Sequence, residues 1–248
     1  MIEHSIIKIS TILALGFGEA GAEILSSSVK TNYETDFTLT KGKKKYAVFG
    51  FCDIRNFTDV TEVLQEDVML FVNNVASIVH SLVDRFNGAA NKNVGDAFLL
   101  VWRFSELQNM FMADEYDQEF PEFNKKITRI SDLALLSFLK IIAKLNKSPK
   151  VIQYRDHPKL KERIKDYKVR LGFGIHLGWA IEGAIGSAYK IDVSYISHHV
   201  NVSSTLEACT KTYGVQILIS DYFYKFLSER MKVLCRLVDN IVLKVNEF

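Results

Sequence analysis

The spacing of apolar positions changes several times along the 248 residues. Tyr46–Cys52 is an almost unbroken apolar run, which predicts a strand buried on both faces, and it ends on Asp53. From Val63 to Phe86 the apolar residues return at helical spacing (Val63, Leu64, Met69, Val72, Val75, Val79, Leu82). Thr58 or Asp59 can cap this helix and Asn87-Gly88 stops it. A hairpin follows, with Gly95-Asp96 at its turn and Ala97–Trp102 returning. Ile127–Leu145 is an amphipathic helix. Tyr167–His176 reads as a strand and Gly178–Ser187 as its glycine-rich antiparallel partner. Val200–Thr212 predicts a helix, Val215–Ser220 a strand, Tyr222–Met231 a helix and Val233–Val245 one or two closing strands. This order is an α+β fold, a ferredoxin-like βαββαβ core with additional strands and helices.

Less regular stretches set the domain plan. Residues 1–43 are a helical segment and a polar linker, and 44–248 form the domain proper, with an acidic loop insertion over 104–125. Residues 146–166 are basic, contain Pro149 and Pro158, and suit a loop or short helix. Residues 16–21 match GxGxxG. They lack the preceding strand, and no acidic residue follows at the end of a second strand, so a joint is a better reading than a dinucleotide loop.

Composition narrows the classes. Hydrophobic content of 48% and charged content of 24% are those of a soluble globule. A net charge of +2 gives no argument for nucleic acid or an anionic membrane. Cys52, Cys209 and Cys235 form no CxxC pair, which suits a reducing compartment, and Cys52 reads as a small buried hydrophobe. Ile6–Leu15 is too short to span a bilayer and lacks the flanks of a signal peptide. The sequons at Asn56 and Asn201 read as chance. The expected location is cytoplasmic, including as the cytosolic part of a larger membrane-bound protein, with no direct membrane contact from these residues.

The chemistry starts from two aspartates. A carboxylate at the end of a core strand is costly without a cation. Asp53 and Asp96, brought together by a sheet, would make a hard-cation site suited to Mg²⁺ and phosphate.

Four pieces in order carry a resemblance: FGFCDIRNFT (49–58), NKNVGDAFLLVW (91–102), GFGIHLGWAIEGAIGS (172–187) and KIDVSYISHHVNVSSTLEACTKTYGVQILIS (190–220). Over about residues 44–245 the chain resembles the catalytic domain of class III nucleotidyl cyclases. Residues 16–21 are also similar to the stretch before this domain in some large protist adenylyl cyclases. The resemblance implies conversion of ATP to 3′,5′-cyclic AMP and pyrophosphate with two Mg²⁺ or Mn²⁺ ions. It makes Asp53, Asp96 and the Ile54 carbonyl the metal ligands. The amides of Asn56, Phe57 and Thr58 would bind phosphate oxygens. Lys92 and Ser194 would read adenine, and Asn201 would orient the ribose. The site would lie between two domains, in a homodimer or in a heterodimer with another cyclase domain.

Three departures stand out. Thr205 replaces the Arg that neutralises charge at the α-phosphate, and loss of such a donor costs about 10²–10³ in rate by analogy with oxyanion holes. Gly172 stands where many members carry another Arg; Arg170, expected on the same strand face, is the candidate substitute. The usual phosphate Lys after the last strand pair is missing. Two other readings therefore stay open: a cyclase-like regulatory or binding domain with weak or no turnover, and a guanylyl cyclase. His176 is expected to be structural. His198 and His199, adjacent on a helix, are expected to point apart.

Overall fold

The computed structural model describes residues 41–105, 121–187 and 189–242, with only the backbone at 121–124. The readings of residues 1–40, and most of the acidic loop, fall outside them. Strand β1 (Lys43–Ile54) is the centre of the sheet. It leads through α1 (Phe57–Leu64) and α2 (Val68–Arg85) to the hairpin β2 (Ala89–Val94) and β3 (Ala97–Arg103). Helix α3 (Pro121–Leu145) and the short α4 (Pro149–Ile152) and α5 (Pro158–Arg163) lead to β4 (Leu171–Ser187). Strand β5 (Lys190–Ile196), helix α6 (His198–Tyr213), strand β6 (Ile217–Ile219) and helices α7 (Asp221–Lys225) and α8 (Glu229–Lys232) complete the described chain.

The strand path is β2-β3-β1-β4-β5, antiparallel throughout, with β6 parallel to β4. Its first four members have the ferredoxin-like order expected from the βαββαβ pattern. Alternation along β1 divides the interior in two. Val48, Cys52 and Ile54 face the larger core, which α1, α2 and α3 cover with Val60, Phe71, Val79 and Phe138. Ala47, Phe49 and Phe51 face a smaller cluster with Leu99, Val101, Tyr195 and Val200 of α6. Asp53 follows in this second series, so the α6 side of the sheet is the side that receives it.

Several expected boundaries are corrected. The single long helix after the first strand is two. Asn56, in the left-handed region at φ 58, precedes α1, and Gln65 at φ 49 breaks the run into a 3₁₀ turn over Gln65–Asp67. The apolar period carries across the break, so it could not reveal it. Gly178–Ser187 is not a separate strand but the second half of β4, which pairs with β1 from Lys43 to Ile54. The glycine that opens it marks a close approach rather than a turn: a Cβ at Gly178 would overlap the His199 ring of α6. The acidic loop ends earlier than 125, because α3 begins at Pro121. Tyr222–Met231 is two short helices, each capped by a serine, Ser220 and Ser228. From Val233 to Val242 there is no strand; Leu237 is 85% exposed and Val242 94%. β-Propensity reports fit to a half-buried sheet surface, and among the described residues no neighbouring strand supplies one here.

Candidate active site

The register of β1 builds the site. Asp53 is paired with Ala97 of β3 on one side and Gly172 of β4 on the other. Gly95, at φ +63, makes the tight β2–β3 turn, and Asp96 follows it directly. The Ile54 amide donates to the Asp96 carbonyl at 3.3 Å. The two carboxyl groups thus meet at one end of the sheet. Burial, a hydrogen bond to Asp53 and the Asp53 charge push the Asp96 carboxyl up to about 6. Asp53 Oδ2 also has the Lys211 ammonium of α6 at 3.3 Å. Two carboxylates that crowd one another and draw in a lysine are a donor set that fits a divalent cation. Asp53, Asp96 and the Ile54 carbonyl would hold it. Phe57 and Thr58 form the first turn of α1, whose N–H groups lack intrahelical acceptors.

A second layer supports this end of the sheet. Arg55 forms an ion pair with Glu207 at 2.8 Å and also reaches the Thr210 hydroxyl. Glu207 is nearly buried, and burial raises its carboxyl above the usual range despite the Arg55 charge. The guanidinium lies over Gly172, where any side chain would overlap it. Arg170, the expected substitute cation, is exposed and precedes β4; its carbonyl accepts from the Arg55 amide at 2.9 Å. The cation beside Gly172 is therefore Arg55. One signal in the sequence pointed to it: Glu207 falls on the buried stripe of α6 with Val200, Ser203, Leu206 and Thr210, and a buried carboxylate needs a cation.

Helix α6 also carries Asn201 and Thr205, both half-buried. The Thr205 hydroxyl donates to the Asn201 carbonyl at 2.9 Å, so its proton is engaged within its own helix. Asn201 lies about three turns N-terminal of Lys211, about 15 Å along the helix axis. The chain thus does not bring Asn201 to its own Asp53. Nor does Lys92 meet Ser194: its ammonium pairs with Asp192 of β5, while Ser194 pairs with Gly183 in the sheet.

The histidines differ from expectation. His198 and His199 do not point apart; their ring centroids are 3.8 Å apart. His176 Nε2 meets His199 Nδ1 at 2.8 Å, and His176 Nδ1 meets Ser220 Oγ at 2.7 Å. The reason is Gly178, where the absence of a side chain lets the His199 ring settle onto β4. Burial, then the neighbouring histidines, lower His176 to about 3; burial, then His198 and Lys44, lower His199 to about 4.

The adenylate and guanylate cyclase catalytic domain model matches residues 40–247. The chain belongs to this family. A second family model, the RasGEFs all helical domain, matches residues 1–30, outside the described part. An adenylate cyclase of Anabaena cylindrica is 26% identical over 194 residues, covering 77% of this chain and 33% of the relative. A terminal-differentiation specific adenylate cyclase of Dictyostelium discoideum is 24% identical over 203 residues, 81% of this chain and 8% of the relative. The chain thus spans a third or less of these two relatives. Among solved structures, a bacterial light-regulated adenylyl cyclase superposes with a TM-score of 0.65 at 19% identity, over 92% of this chain and 56% of its own. That likeness speaks to the cyclase fold alone.

Proposed function

We propose that this cyclase domain converts ATP to 3′,5′-cyclic AMP and pyrophosphate at sites shared between two domains. The observation that carries the reading is the meeting of Asp53 and Asp96 beside the first turn of α1 and at the Lys211 end of α6, with Asn201 about 15 Å from Lys211 along that helix. One chain holds both halves of a site but keeps them apart. A second copy, or another cyclase domain, placed head to tail would join them.

In the reaction the 3′-oxygen attacks the α-phosphorus, its proton is lost, and the bond to the bridging oxygen breaks to release pyrophosphate. Two bound Mg²⁺ or Mn²⁺ ions would lower the acidity barrier of the 3′-hydroxyl and neutralise phosphate charge. Asp53 and Asp96 hold that position. The amides of Asn56, Phe57 and Thr58 orient polyphosphate oxygens at a helix N-terminus. Asn201 of the second domain orients the ribose, and Lys92 donates to the base. ATP rather than GTP is taken as the substrate on Lys92 and Ser194, the pair that the resemblance assigns to adenine.

A second reading, weak or absent turnover, is favoured by Thr205. It brings no cation to the α-phosphate, and its hydroxyl proton is committed to the Asn201 carbonyl. The test is incubation of concentrated protein with Mn-ATP or Mn-GTP, with Asp53→Ala and Thr205→Arg alongside. Cyclic AMP that disappears in Asp53→Ala supports the enzyme. Bound ATP without product at any concentration sinks it, and cyclic GMP as the main product sinks the choice of base. Thr205→Arg raises turnover if the missing cation limits the rate.

A further inference from the structure

The net charge of +2, which by itself gives no argument for an anionic surface, is the sum of two unequal parts. Ten of the 27 residues over 144–170 are Lys or Arg and three are Asp or Glu. This stretch therefore carries +7 and the rest of the chain −5. It runs from the end of α3 through α4, a 3₁₀ turn over Gln153–Asp156 and α5 to the approach to β4.

The fold turns these cations outward. Leu145, Val151, Tyr154, Leu160 and Tyr167 are buried and fasten the stretch to the larger core, across the sheet from α6. The Tyr154 ring packs edge-on against Phe71 of α2 with 4.9 Å between centroids, and its hydroxyl accepts from Asn74 at 3.5 Å. Lys144, Lys147, Lys150, Lys159, Lys165 and Lys168 lie beside or between the buried positions, and all six are exposed. Among the described residues no ion pair holds any of the six; Lys161 pairs with Asp156, and Arg163 with Asp59 and Glu62 of α1. Like charges without partners repel one another, a cost that an anionic surface removes. A second domain that brings its Asn201 to Asp53 approaches from the α6 side, which leaves this face open.

The chemistry of the face selects among anions. Seven of its ten cations are lysines. These are compact charges on flexible stems that suit a diffuse layer of phosphates and carboxylates, whereas arginine forks serve defined partners. Lysine is depleted at protein–protein interfaces, whose centres are apolar, and none of the large exposed apolar side chains lies within 144–170. The stretch has no Phe or Trp and its two tyrosines are buried, so no ring is offered for a nucleic-acid base to stack on. A layer of anionic headgroups asks only for exposed charge.

We propose that the 144–170 face is a docking surface for an anionic lipid bilayer. Each lysine near such a surface contributes about fivefold in partitioning. The test is co-sedimentation of the whole chain with vesicles of phosphatidylcholine alone and of phosphatidylcholine with about a third phosphatidylserine. Binding is expected to the second kind only, and to be lost at about 0.5 M salt, where the field is screened within a few ångströms. Lys147→Gln/Lys150→Gln/Lys159→Gln should weaken it by about tenfold or more, and Lys147→Arg/Lys150→Arg/Lys159→Arg should retain it. Lys41→Gln/Lys43→Gln/Lys190→Gln removes the same charge from exposed positions elsewhere and should weaken it by less than about threefold.

Wild-type protein that ignores the phosphatidylserine vesicles overturns the proposal. Equal losses in the two glutamine triples also overturn it, because net charge rather than this face would then be the cause. Loss of binding in the arginine triple, which keeps the charge, refutes an electrostatic face. A short RNA duplex that binds and is lost in the Lys147/Lys150/Lys159 glutamine triple, without vesicle binding, assigns the face to nucleic acid and overturns the proposal as well.

Discussion

Deleting the Glu207 carboxylate isolates the interaction that joins the metal end of β1 to α6. The Glu207 side chain is 6% exposed and that of Arg55 17%, with 2.8 Å between Arg55 Nη1 and Glu207 Oε1. Removing one member of a buried pair costs about 3–5 kcal/mol, because the other charge is left without compensation. Arg55 keeps a partial path to water, so the expected loss for Glu207→Ala is at the low end, about 3 kcal/mol. For a chain of this size that lowers the melting temperature by about 6–12 °C, at roughly 2–4 °C per kcal/mol. The converse deletion should behave differently. An arginine cannot lose its proton, whereas a stranded Glu207 can take one up, and burial already raises its carboxyl. Arg55→Ala should therefore cost less than Glu207→Ala near pH 5. Its cost should grow as the pH rises through the region above the ordinary value of 4.5, where the unfolded carboxyl is ionised and the folded one resists. The assay is urea unfolding of both single variants and the double variant at several pH values. Single effects that add within about 0.5 kcal/mol, or an Arg55→Ala cost independent of pH, would refute the reasoning.

Gly172→Ala should displace the same guanidinium and the Glu207 carboxylate beside it and destabilise the protein, with a smaller cost in an Arg55→Ala background; melting curves of the three variants check this. His176 and His199 are held neutral in the fold, so the unfolded chain binds more protons than the folded one below about 6.5. Their contribution to stability should be lost as the pH falls from 6.5 towards about 4 and then 3, and unfolding midpoints of a His176→Gln/His199→Gln variant should show a flatter slope there. Asp96 has the opposite sign: its raised carboxyl keeps a proton in the fold, so metal must displace it and Mn²⁺ affinity measured by calorimetry should weaken as the pH falls through about 6. Lys211 competes for Asp53 with an ammonium that is 59% exposed, so Lys211→Ala should tighten Mn²⁺ binding by no more than about fivefold, the scale of an exposed ion pair.

The readable parts of the fold were those where one face meets one core. The run from Tyr46 to Cys52, the Gly95-Asp96 turn and the spacing over Val200–Thr212 each became the element they predicted, because local period and burial agree there. The misreadings were of partners. The glycines at 172, 174 and 178 looked like a break, but they are places where α6 and the rings and guanidinium beside it come close to β4. The stretch Val233–Val242 has the composition of a strand but pairs with none among the described residues. At the site, Asp53 and Asp96 were legible because a charged residue ending an apolar run is locally anomalous. Lys211 and Asp192 were not, since each is an ordinary surface residue type in its own neighbourhood, and Arg55 was signalled only indirectly, by the carboxylate of Glu207 on the buried stripe of α6.

The sequence by itself determined the central strand, the Gly95-Asp96 turn and the helix over Val200–Thr212, the two aspartates at strand ends and the membership that four ordered segments imply. Those follow from period, turn chemistry and cost of burial, all of which act over a few residues. Only the tertiary structure decided which charge answers which. It placed Arg55 on Glu207, Lys211 on Asp53 and Lys92 on Asp192, partners 100 or more residues apart. It also set Asp53 and Asn201 near opposite ends of one helix. Ionic partners are chosen by distance in space, and sheet curvature and the lie of α6 across β4 set those distances through contacts that no local pattern records.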